Sequence, residues 1–75
     1  MPKKSYTAKL LRGGLPKISA KIIEESLEVI EAASRESKKR LIEETTDLLY
    51  HLFVLDVFKK ISVQDLAKEI KKRMR

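Results

Sequence analysis

Between Pro16 and Ser34, Ile18, Ile22, Ser26, Val29, Ile30 and Ala33 recur at steps of three and four, and Ile23 and Leu27 widen that stripe into a broad arc. At about 100° per residue, Lys17, Lys21, Glu24, Glu28 and Glu31 fall on the opposite side, with Glu25 at the border. The pattern predicts an amphipathic helix whose apolar arc faces a core. From Leu41 to Phe58 the apolar residues leave almost no polar stripe, the mark of a helix with apolar neighbours on most sides. So short a chain has too few helices to supply those neighbours, so a second copy is expected to provide them.

Punctuation places the remaining elements. Gly13, Gly14 and Pro16 fall within four positions and should end a short first helix running from Ser5 to about Arg12. Ser37 is placed to cap the third helix, with Arg35 and Glu36 in the connection. Ser62 followed by Asp65 resembles a capping arrangement for a last helix, with Val63, Leu66, Ala67 and Ile70 facing inward. Lys71, Lys72, Arg73 and Arg75 then sit where a helix dipole favours positive charge. The expected fold is all-α: a small bundle of three main helices plus a short N-terminal helix, completed by homodimerisation, in one domain over residues 1–75 with a disordered tail at 1–4.

Composition narrows the means of stabilising such a domain. A chain of 75 residues buries only about 60% of the surface it exposes when unfolded. Without cysteine it has neither disulfides nor a thiolate zinc site. Oligomerisation, close helix packing or a bound ion remain. No apolar run approaches the ~18 residues of a membrane span, since Leu48 to Phe58 is interrupted by His51 and Asp56. The basic N-terminus is not followed by the apolar core of an export signal. A cytoplasmic protein with no membrane partner is expected.

The net charge of +6 is unevenly distributed, at +5 over residues 1–20, −4 over 21–58 and +5 over 59–75. A nucleic-acid binder would not concentrate carboxylates in its middle, so no nucleic-acid partner is expected. An acidic centre between basic ends suits a polyphosphate held through metal ions.

Glu24, Glu25 and Glu28 lie on the second helix, and Glu44 and Asp47 on the third, so that on each helix the carboxylates project from neighbouring positions. Like charges at that spacing destabilise an isolated helix by a few tenths of a kcal/mol per pair, and something should offset the cost. Mg²⁺ takes oxygen ligands and keeps waters and substrate phosphates, so two facing acidic helices would make a site for it. Antiparallel helices joined by a short loop would bring the two groups together. The alternative is a solvated acidic face balanced by cations, Lys21 with Glu24 or Glu25, and Lys39 or Arg40 with Glu43 or Glu44. On the third helix, however, Glu44, Asp47 and His51 stand at i, i+3 and i+7 in an otherwise apolar segment, where unpartnered carboxylates are costly.

His51 is the chain's single histidine, too few for a carboxylate-bridged di-iron bundle, and reads as a structural or outer-shell residue. Tyr50 and Phe53 read as packing residues. Gly13-Gly14 lacks the Gly-Lys-Ser/Thr of a phosphate loop and reads as a turn. Asp56 falls on the face of Leu41, Leu49 and Leu52, where an apolar residue is expected, and would need a basic partner across an interface.

Ser5-Tyr6-Thr7, Leu10, Gly14, Ile18, Lys21, then Glu24-Glu25-x-x-Glu28-Val29, then Glu44-x-x-Asp47-Leu48-Leu49-Tyr50-His51-Leu52 and Val54-Leu55 resemble the phosphoribosyl-ATP pyrophosphohydrolase family of histidine biosynthesis. The carboxylate pairs alone would indicate only the wider all-α MazG-like nucleotide pyrophosphohydrolases; the Ser-Tyr-Thr start and the Asp-Leu-Leu-Tyr-His-Leu run favour the histidine-pathway branch. The resemblance implies a helical homodimer that uses Mg²⁺ to hydrolyse phosphoribosyl-ATP to phosphoribosyl-AMP and pyrophosphate. By position it makes Glu25, Glu28, Glu44 and Asp47 metal ligands, Glu24 a ligand or the base for water, and Lys21 a phosphate contact.

Four features depart from the family pattern. Only Met1 to Lys4 precede Ser5, where the family usually has a further helical segment. Ile23 replaces a Gly before the paired glutamates and would narrow the approach to the site, Thr45-Thr46 replace Ala-Ala, and Lys59 or Lys60 replaces a Gly. None removes a carboxylate. A nucleoside triphosphate pyrophosphohydrolase of other specificity and a non-catalytic helical interaction module are the alternatives.

Overall fold

Two helices run together and a third stands apart. The computed structural model describes residues 3–74, with Lys3 and Lys4 described in backbone only. Its elements are α1 (Lys3–Arg35), α2 (Lys38–Phe58) and α3 (Val63–Arg73). The described residues are helical and contain no strand, in keeping with an all-α fold. Of the tail expected at 1–4, Met1 and Pro2 lie outside the described residues, and the backbone of Lys3 and Lys4 opens α1.

The break expected at the glycines is present: Gly14 is non-helical (φ 74°, ψ −167°), and α1 as bounded here joins two helical segments across it. An added Cβ there would meet nothing closer than Pro16 Cδ at 3.8 Å and Phe58 Cζ at 4.0 Å, so glycine is required by conformation rather than by space. Pro16 follows in the first turn after the break, where its missing N–H costs nothing.

The kink folds the chain back on itself. Beyond it, α1 runs antiparallel to α2, so that Glu25 lies beside Glu44 and Asp47. Before it, the segment returns along α2, bringing Gly14 to Phe58 and Tyr6 to His51. Leu10 from the returning segment, Ile18 from the main helix and Val54 from α2 close the core, the first two fully buried. Tyr6, Leu11, Ile22, Tyr50 and Leu55 pack around them.

Local signals set the ends of the helices. Ser37 Oγ accepts from the Arg40 N–H at 3.2 Å and starts α2. Its C-terminus carries both bonds of a Schellman motif, Lys60 N–H to Val57 O at 3.1 Å and Ile61 N–H to Asp56 O at 2.8 Å. Lys60 supplies the left-handed residue, at φ 61°, in a position that favours glycine. The α3 cap is reciprocal: Ser62 Oγ accepts from Asp65 N–H at 3.1 Å, and Ser62 N–H donates to Asp65 Oδ2 at 2.8 Å. Those bonds, the backbone one first, hold the Asp65 carboxyl below its ordinary pKa.

The orientation of α1 departs from the expected one. Its buried line is Ile18, Glu25 and Ala32, with Ile22 and Val29 half-buried between them. Ile23, Leu27 and Ile30 are 63%, 63% and 62% exposed, and Ala33 is exposed beside buried Ala32. α2 likewise turns Ile42, Leu49, Phe53 and Val57 outward. Among the described residues α3 packs against neither α1 nor α2. Val63 and Ile70, expected to face inward, are exposed, and Leu66 is half-buried.

Candidate active site

The antiparallel pairing sets the two acidic groups against each other. Carboxylate oxygens of Glu24, Glu25 and Glu28 all lie within 4.8 Å of one another, as do those of Glu25, Glu44 and Asp47. Glu25 belongs to both groups, so all five carboxylates singled out in the sequence converge. Glu25 and Glu44 are buried, at 6% and 7% exposure; Glu24 and Asp47 are exposed.

Burial explains why these two need a partner. Each has one oxygen answered by a cation of its own helix: Lys21 Nζ lies 4.0 Å from Glu25 Oε2, and Arg40 Nη2 lies 2.5 Å from Glu44 Oε2. The other oxygens, Glu25 Oε1 and Glu44 Oε1, are buried with no hydrogen-bond partner among the described residues. An unsatisfied buried polar group costs about 1–3 kcal/mol, more when charged. The strain registers on Glu25, whose pKa is pushed up from 4.5 to about 7 by burial and then by the neighbouring charges of Glu28, Asp47 and Glu44. A hard cation would meet an all-oxygen donor set here, answer both orphaned oxygens and reverse the repulsion. The residues therefore fit Mg²⁺.

Two cations flank the carboxylates. Lys21 donates to Glu24 Oε1 at 3.2 Å. Burial alone would lower its pKa, but the bond to Glu24 and the nearby negative charges raise it, so it stays charged. Arg40 is held by Glu36 at 3.2 Å and Glu43 at 2.5 Å as well as by Glu44. Its pairing with Glu43 and Glu44 was one of the alternatives left open by the sequence.

Behind the carboxylates, His51 is 5% exposed and both ring nitrogens are bonded. Nδ1 lies 2.8 Å from the Asp47 carbonyl and Nε2 lies 2.7 Å from the Tyr6 hydroxyl. Tyr6, Tyr50 and His51 form an aromatic trio, and the Thr7 hydroxyl meets that of Tyr50. The Tyr6 partnership has no local signal, because it joins residues 45 apart in sequence. Ile23 does not narrow the approach from within the chain: it is 63% exposed, about 200° around the helix from Glu25. Thr45 and Thr46 are also exposed, and Thr46 Oγ1 donates to the Ile42 carbonyl. The Asp56 side chain is half-buried and has no ion pair among the described residues.

The chain matches a family model described as phosphoribosyl-ATP pyrophosphohydrolase over residues 1–74. It is similar to the phosphoribosyl-ATP pyrophosphatase of Leptospira biflexa, with 52% identity over 73 residues that cover 97% of this chain and 79% of the relative. With the phosphoribosyl-ATP pyrophosphatase of Sulfurisphaera tokodaii it shares 46% over 71 residues, covering 95% of this chain and 76% of that one.

Proposed function

The chain belongs to the phosphoribosyl-ATP pyrophosphohydrolase family, and we propose that it uses Mg²⁺ to hydrolyse phosphoribosyl-ATP to phosphoribosyl-AMP and pyrophosphate in histidine biosynthesis. As a member of that family it is an enzyme, a hydrolase of a phosphoanhydride. The observation that carries the reading is the pair of buried, unpartnered oxygens, Glu25 Oε1 and Glu44 Oε1, within one group with Asp47.

Glu25, Glu28, Glu44 and Asp47 would hold the cation, and its chemistry there would be to neutralise phosphate oxygens and favour in-line attack by water. Arg40 keeps Glu44 Oε2 occupied, which leaves Oε1 for ligation. Lys21 meets the substrate phosphates through a charged ammonium already turned to the acidic face. Glu24 is exposed beside it and accepts the proton of the attacking water. Water adds to the α phosphorus, the bond from that phosphorus to the bridging oxygen breaks, and pyrophosphate leaves with the electron pair.

The working unit is a homodimer. Ile23, Leu27 and Ile30 on α1 and Ile42, Leu49, Phe53 and Val57 on α2 are large apolar residues left exposed by the chain's own fold. Exposed apolar side chains in that number on two paired helices suit an interface between copies of the chain. An 11-residue helix is marginal on its own in water, so α3 needs packing that α1 and α2 do not supply. No helix among the described residues is long and apolar enough to cross a membrane, and we place the enzyme in the cytoplasm with its nucleotide substrate.

The test is pyrophosphate release from phosphoribosyl-ATP beside a panel of deoxynucleoside triphosphates. We expect turnover of phosphoribosyl-ATP that EDTA abolishes and that Glu28→Ala lowers at least about a hundredfold. Faster hydrolysis of a deoxynucleotide would overturn the substrate assignment, and undiminished activity of the variant would overturn the site.

A further inference from the structure

The hydroxyl of Tyr6 has a fixed hydrogen-bonding role. The Asp47 carbonyl can only accept, so His51 Nδ1, 2.8 Å away, carries the proton. Neutral imidazole then has a bare Nε2, and the partner at 2.7 Å must donate to it. Tyr6 thus spends its single proton on His51, and its oxygen keeps only acceptor capacity. Burial, the largest influence, holds the Tyr6 pKa above its ordinary 10.0, so the proton is present at neutral pH.

Tyr6 is also placed to use that capacity. His51 links it to the acidic site, because the imidazole that meets the Tyr6 hydroxyl at Nε2 lies at Nδ1 against the backbone carbonyl of Asp47, one of the converging carboxylate residues. The side chain is half-buried, so part of it is open. Lys21 and the five carboxylates answer the triphosphate and its cation and contain no neutral acceptor. The adenosine ribose follows directly on the α phosphate and presents two hydroxyl donors.

Resting on the function proposed above, we propose that Tyr6 is the acceptor for a hydroxyl of the adenosine ribose, and that His51 is a positioning residue that holds Tyr6 in that role. Hydrogen bonds in series polarise one another, so ribose binding at the Tyr6 oxygen strengthens its bond to His51 Nε2.

The experiment compares the affinity of the full chain, with Mg²⁺ present, for ATP and for dideoxy-ATP, which lacks both ribose hydroxyls but keeps the base and triphosphate. Wild type should prefer ATP by about 5-fold, the worth of one hydrogen bond. Tyr6→Phe should bind the two equally, with dideoxy-ATP affinity unchanged. The wild-type comparison needs no variant to fold, and the single histidine gives an unambiguous nitrogen NMR signature. His51 should be the Nδ1–H tautomer, and its Nε2 resonance should move with ATP and not with dideoxy-ATP. Equal wild-type affinities, or an Nε2–H tautomer, would overturn the inference while leaving the metal and phosphate site standing. Failure of both nucleotides to bind, with no turnover of phosphoribosyl-ATP, would overturn the functional reading and this inference with it.

Discussion

The α1–α2 pair buries polar side chains at two places, and it treats them in opposite ways. Around Leu10, Ile18 and Val54, His51 is 5% exposed and both of its nitrogens are bonded. Further along the same helices, Glu25 and Glu44 are buried as deeply, at 6% and 7%, yet each keeps an unpartnered oxygen. Burial is therefore not what separates structure from function in this molecule. The first place is satisfied by the chain itself, and the second leaves two carboxylate oxygens that no group among the described residues answers.

Substitutions should separate the two places. Glu25→Gln should lower turnover of phosphoribosyl-ATP by about a thousandfold, the scale of a lost metal ligand, and should not destabilise the metal-free protein, because it removes a repelled charge. Steady-state kinetics and denaturant unfolding together check this. Leu10→Ala in the satisfied region should do the reverse, costing about 2–5 kcal/mol of stability while leaving the activity of the folded fraction near wild type.

The contrast also has a pH signature. The folded-state pKa of Glu25 is raised from 4.5 to about 7. Between those values the unfolded chain has lost a proton that the folded chain retains, so stability is greatest below about 4.5, falls as pH rises to about 7, and then levels. Thermal melts of the metal-free protein should show a midpoint that falls steadily across that window, a fall largely removed by millimolar Mg²⁺. A flat metal-free profile would mean that Glu25 is not strained.

The same caps and spacings made much of this legible in the sequence. Ser37, Ser62 with Asp65, and Gly14 with Pro16 act within a few residues, and the structure places a helix start or a kink at each. Carboxylates three and four apart on two helices joined by a short connection also converge as expected. The rotation of α1 was not legible, because Ile23, Leu27 and Ile30 are as apolar as Ile18 and Ile22. One broad arc is in fact two stripes, one facing α2 and one exposed. The correct rotation buries Glu25, which hydropathy alone places at the border. Tyr6 and His51 meet across 45 residues, beyond any periodic signal. Lys60 breaks a local rule, standing at φ 61° where glycine is preferred.

That violation supplies the smallest prediction. Lys60→Gly should stabilise the protein by about 1 kcal/mol, since the left-handed conformation costs glycine nothing. It lies in the C-cap of α2, apart from the carboxylates, so turnover should be unchanged; a destabilised variant would mean that the Lys60 side chain makes a contact worth more than the backbone cost.

The central claim is that a divalent cation completes Glu25 and Glu44. Its most direct measurement is Mn²⁺ titration of the isotope-labelled protein, read as paramagnetic broadening of backbone resonances. Broadening should centre on Glu25, Glu44 and Asp47, spare Ser62 and Asp65 in the α3 cap, and be lost in Glu25→Gln and Glu44→Gln. Broadening that follows exposed carboxylates such as Glu31 and Glu69 equally, or that survives both substitutions, would contradict it.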